Sequence, residues 1–128
     1  MRPIWIVSAA ALVMATPAVA QNWVEYGLNS TGTVVSYDPE SVRRSGNIVR
    51  VWERRDHSRD RTRRERETKT LFRYDCAKET NAPLSEIVYD GRGGVIRSVT
   101  LRDYEVREEP IVPESLGQAL FDILCAQN

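Results

Sequence analysis

Two cysteines, Cys76 and Cys125, restrict this chain's fold more than any other feature, provided they meet in an oxidising compartment. The N-terminus speaks to that condition. MRPIWIVSAAALVMATPAVAQNW places Arg2 beside the amino terminus, then an uncharged, mostly apolar run from Ile4 to Met14, then Ala18-Val19-Ala20. This is the three-part layout of a secretory signal peptide over residues 1–20, with cleavage expected after Ala20. The apolar run is about half the ~20 residues that a membrane-spanning helix needs, and Pro17 interrupts any helix before the cleavage position. No cysteine lies near the cut, so the mature protein is not expected to be a lipoprotein, and it keeps no transmembrane segment. Export exposes Cys76 and Cys125 to oxidation, and one disulfide between them is the simplest reading. It would close a loop of about 50 residues, worth about 4 kcal/mol in the chain-entropy picture. The competing reading is a reactive thiol. Against it, no CxxC spacing occurs, and the only histidine, His57, stands 19 positions before Cys76.

Residues 21–128 suit one domain. Short β-type segments separated by turn signals fill most of them: 22–28, 33–38, 48–56, 67–76, 84–90 and 94–104. In the fourth, Thr68, Thr70, Phe72, Tyr74 and Cys76 share one face. Gly91-Arg92-Gly93-Gly94 supplies hairpin-turn glycines rather than a phosphate loop, because the next residues, Val95-Ile96, begin a strand. The period then changes. Leu116, Ala119, Leu120, Ile123 and Leu124 form one apolar helical stripe, with Pro113 expected in the first turn. Cys125 lies on the flank of that stripe, so a bridge to Cys76 would pin the helix across the face bearing Phe72 and Tyr74. The expected fold class is α+β: a single antiparallel β-sheet of about six strands, one C-terminal α-helix packed on one face, and one disulfide.

Chemistry-bearing constellations are sparse. One histidine and two distant cysteines make no zinc set, no cofactor signature is present, and no serine sits in a nucleophile elbow. His57 reads as a solvent-exposed loop residue. Trp52 reads as a core residue, and Trp23 as core or ligand-facing. The outstanding stretch is RDHSRDRTRRERETK, residues 55–69, with seven cationic side chains, four carboxylates and no aliphatic or aromatic residue. Its cations are Arg55, Arg59, Arg61, Arg63, Arg64, Arg66 and Lys69. Both pleat faces of 61–69 would be hydrophilic, which predicts a hairpin projecting into solvent. Four readings compete: a solvated hairpin, a polyanion-binding patch, a protein contact and a nucleic-acid contact. The last is disfavoured by export, by the absence of stacking aromatics, and by overall charge. Once Arg2 leaves with the leader, 17 basic side chains face 18 acidic ones.

Several short motifs recur in a recognisable order: Trp23, VVSYDPESV at 34–42, VRVW at 49–52, FRYDC at 72–76, the glycine turn at 91–94, VPES at 112–115, and a helix ending in Cys125. Together they resemble the surface-adhesin protein E-like family of small exported bacterial proteins, over nearly all of residues 21–128. The resemblance implies a single α+β domain with an antiparallel sheet, a C-terminal helix and a Cys76–Cys125 bridge. It also implies adhesion to host extracellular-matrix and plasma proteins. This sequence departs from the family in lacking an acylatable cysteine after the cut, and its arginine-rich hairpin is particular to it. The expectation is an exported, non-enzymatic, adhesin-like binding domain of the cell envelope or extracellular space, or alternatively a periplasmic inhibitor or accessory protein. Its partner would be a protein or a surface polyanion.

Overall fold

β-branched and aromatic residues build a central hairpin, and everything else is arranged around it. Its arms are Ile48–Asp56 and Glu67–Asp75, paired without interruption from Ile48↔Asp75 to Asp56↔Glu67. In the computed structural model, which describes residues 21–126, these are β4 and β5 of an antiparallel sheet. The signal-peptide expectation falls on residues 1–20, outside the described residues. The other strands are β1 (Val24–Leu28), β2 (Val34–Tyr37), β3 (Arg43–Ser45), β6 (Thr80–Tyr89), β7 (Val95–Thr100) and β8 (Glu109–Pro110). Their order is β1-β2-β4-β5-β6-β7, with β3 on β4 and β8 on β6.

Two short strands share the outer edge of β4, and two others that of β6. β2 pairs with residues 53–56 of β4 and β3 with residues 48–50. Between them the chain makes a 3₁₀ turn over Pro39–Ser41, capped by Asp38, whose carboxylate accepts from Glu40 N–H at 3.0 Å. β3 returns into β4 through a turn in which Gly46 takes φ 57°, a conformation a side chain would oppose. β7 likewise pairs with residues 85–89 of β6 and β8 with residues 80–81. The 91–94 glycine turn joins β6 to β7 as expected, with the Asp90 carboxylate accepting from the N–H groups of Arg92 and Gly94 at 2.9 and 2.8 Å.

The C-terminal helix, α1 (Leu116–Cys125), covers one end of one sheet face. It starts after Pro113 because Glu114 has φ 61°, outside helical space; Ser115 is the cap, its hydroxyl accepting from Gln118 N–H at 3.1 Å. Leu120 and Leu124 pack on Val49, Val51 and Tyr74, ringed by Tyr26, Tyr37, Phe72, Ile111 and Phe121. Gly27 lets β1 close over the helix, since a β-carbon there would collide with the Leu116 side chain. At the far end of α1 the Cys76–Cys125 disulfide joins helix to sheet, with Cα atoms 5.6 Å apart, and Arg44 donates to the Leu124 carbonyl. Trp52 departs from its expected place: it lies half-buried on the opposite sheet face from this core. The cause is parity. It alternates with Val51 and Glu53, which point to the helix side.

Candidate functional site

The helix-side face changes character along β4. Under α1 it is apolar. One step further Glu53 is buried, 2% exposed, and held from two sides: Tyr26 donates its hydroxyl at 2.6 Å and Arg55 donates its Nε at 2.6 Å. Burial opposes the Arg55 charge, but the Glu53 carboxylate outweighs it and holds the guanidinium above its ordinary value. Burial, reinforced by Glu53, raises the Tyr26 phenol so far that it stays a hydrogen-bond donor throughout the accessible pH range.

Beyond Arg55 comes His57, which is not the exposed loop residue that its charged neighbours suggest. It is 2% exposed. Its Nε2 meets Thr68 Oγ1 at 3.1 Å, and its Nδ1 meets Thr33 Oγ1 at 3.1 Å and Arg63 Nη1 at 3.3 Å. A guanidinium cannot accept a hydrogen bond, so Nδ1 is the acceptor, and Nε2–H donates to Thr68. Burial, then the positive charges of Arg63 and Arg55, lower the imidazole's proton affinity below its ordinary value.

Residues 57–66 are accordingly not a projecting ladder. His57 N–H donates to the Arg66 carbonyl at 2.8 Å, Asp60 N–H to the His57 carbonyl at 2.9 Å, and Arg66 N–H to the Tyr89 carbonyl at 2.9 Å. The result is a loop of successive turns, tied at its base to the end of β6. Thr68, expected in the solvated arm, is buried on the helix side of the sheet, as is Thr70, on the face expected to carry it with Phe72 and Tyr74.

This geometry scatters the seven predicted contact residues. Arg55 and Arg63 line a cleft of about 350 Å³ on the helix side, together with His57, Glu65, Glu86 and Arg97. Arg66 and Lys69 line a second cleft of about 680 Å³ with Arg54, Glu67 and Tyr89. The pairing Arg54↔Lys69 and Asp56↔Glu67 places that second cleft on the opposite face. There Lys69 Nζ sits 5.0 Å from the Tyr89 ring and 5.7 Å from the Trp23 ring, and 3.4 Å from Glu67. Arg59 lies against Gly32, beside β1 and β2. Arg61 and Arg64 line neither cleft, and both are exposed in the loop. Among the described residues, no ion pair engages Arg59, Arg61 or Arg64, whereas Arg54, Arg55, Arg63 and Lys69 each have a carboxylate within 4 Å. Sequence reasoning passed over Arg97 and Glu86, which join the helix-side cleft from β7 and β6. They carried no local signal, and only strand register brings them beside Arg63.

The fold matches solved structures of Haemophilus influenzae protein E. One crystal form aligns with a TM-score of 0.59 at 17% identity, covering 91% of this chain and 97% of that one. The protein from non-typeable Haemophilus influenzae aligns with a TM-score of 0.55 at 15% identity, covering 87% and 80%. No curated protein sequence matches the chain. The family model described as surface-adhesin protein E matches residues 23–126, and with it the sheet, the helix and the disulfide: this chain belongs to the surface-adhesin protein E family.

Proposed function

We propose that the protein is an exported, non-enzymatic, adhesin-like domain that binds an anionic surface of another protein through the tip of the 57–66 loop. The observation that carries this reading is the division of labour among its cations. Arg59, Arg61 and Arg64 stand exposed with no ion-pair partner among the described residues, while the remaining cations of residues 55–69 lie in the two clefts. Free guanidiniums on a loop anchored at both ends are pre-organised for carboxylate or sulfate groups. Family membership supports adhesion as the role and the cell envelope or exterior as the place. The non-enzymatic assignment follows the family's adhesive role, and the single histidine is engaged structurally, by two buried threonines and an arginine.

The test is binding to immobilised matrix and plasma proteins, with a heparin column in parallel. Replacing Arg59, Arg61 and Arg64 together by alanine should weaken protein binding about tenfold, at fractions of a kcal/mol per exposed charge pair. Retention on heparin alone would instead assign the patch to a polyanion. Unchanged binding in both assays would remove the loop tip as the contact.

A further inference from the structure

Past the end of α1 the helix no longer covers the sheet, and a cleft there combines a partly apolar floor with a charged rim. Phe72 and Pro83 line its floor, with Val88, 2% exposed, and the buried Thr68 and Thr70 beneath. Around them stand the guanidiniums of Arg55, Arg63 and Arg97 and the carboxylates of Glu65 and Glu86; with Arg55 neutralised by Glu53 the charges balance, so an anion enters by displacing a carboxylate. The volume of about 350 Å³ lies at the small end of the range for organic ligands. Arg55 is committed to the buried Glu53. The other two arginines are held loosely: Arg63 Nε is 3.7 Å from Glu65, and Arg97 Nη2 is 3.1 Å from Glu86. All four of those side chains are between 36% and 56% exposed. Such pairs contribute little, so a ligand carboxylate offering two oxygens in the guanidinium plane competes well for them.

We infer that this cleft binds a small organic monocarboxylate, its apolar body on Phe72 and Pro83 and its carboxylate between Arg63 and Arg97. The site is separate from the exposed loop tip and independent of it. His57 gives it an acid response. The groups around the imidazole are Arg55 on β4, Arg63 and Glu65 in the loop, Glu86 on β6 and Arg97 on β7 across the cleft, the neutral hydroxyls of Thr33 and Thr68, and Asp56, adjacent in sequence but on the other sheet face. A proton on Nδ1 turns the Arg63 contact into a meeting of two cations. That frees the guanidinium and adds a charge to the rim, so an anion binds more tightly as pH falls.

Isothermal titration of the disulfide-intact protein with phenylacetate, against uncharged phenylacetamide, tests this. Saturable binding of the acid is expected, at least about tenfold weaker for the amide and for the Arg63→Ala/Arg97→Ala double variant. Affinity should rise as pH falls below about 6.5 toward the lowered value of His57, and His57→Gln should flatten that rise. No saturation by about 10 mM acid, equal binding of the amide, or full binding by the double variant would overturn the site. A pH response that survives in His57→Gln would remove the histidine from it.

Discussion

The imidazole of His57 is held toward its neutral form: a hydroxyl and a guanidinium meet one nitrogen, a threonine oxygen the other, and only 2% of the residue is exposed. Its proton affinity is therefore lower folded than unfolded, where the ordinary value of 6.5 applies. The sign follows from linkage. The unfolded chain takes up the proton first, so the stability contribution is complete above about pH 6.5 and is lost as pH falls from there through the lowered folded value. One proton limits the slope to about 1.4 kcal/mol per pH unit. This is the chain's only histidine, so the slope just below pH 6.5, above the range where carboxylates titrate, is chiefly its own. Urea denaturation between pH 7.5 and pH 5 should show it, and His57→Gln should abolish it; a wild-type curve flat over that range would refute the assignment. The flanking Asp56 and Ser58 make this position look solvated. What buries it is Thr33, 24 positions earlier, and Thr68 on the next strand, neither of which its local sequence announces.

At the scale of elements, α1 is held to the sheet by Leu120 and Leu124 along its length and by the Cys76–Cys125 bond at its end. The bridge spans 49 residues of sequence and so removes much of the freedom of the unfolded chain. Replacing both cysteines by serine should lower the unfolding free energy by about 4 kcal/mol, read from the denaturant midpoint, while the helix and sheet signals of the native circular dichroism spectrum persist. An unchanged midpoint would mean that packing alone seats the helix. The strands β4 and β5 and the helix stripe were legible because each is long enough to display its period. Strands β3 and β8, of three and two residues, are too short to display one. They exist because β4 and β6 outrun β2 and β7 and leave backbone groups to be paired, a condition set by the partner strand and invisible in the short segment itself.

Over the whole molecule, one stretch of charge serves both the interior and the surface. Its composition was plain from the sequence, and the sheet's two-residue alternation then decided where each cation went. Arg55 follows Val49, Val51 and Glu53 to the helix side, Lys69 and Arg54 take the other face, and only the loop between the arms leaves guanidiniums free. Substitutions within the same run should therefore have unequal consequences for stability. Arg55→Ala deprives Glu53, a carboxylate 2% exposed, of one of its two donors, and Tyr26 alone cannot replace the lost charge. Discounted for the 39% exposure of the arginine side chain, the cost should be about 2 kcal/mol. By size scaling that is a fall in melting temperature of roughly 10 °C for a domain of about 100 residues. Alanine at Arg59, Arg61 and Arg64 together touches no ion pair among the described residues and should move the melting temperature by no more than about 2 °C. Thermal denaturation of the two variants side by side separates structural from contact charges: if Arg55→Ala melts with the parent protein, Glu53 is not held as described, and if the triple variant melts far below it, the loop tip is part of the scaffold.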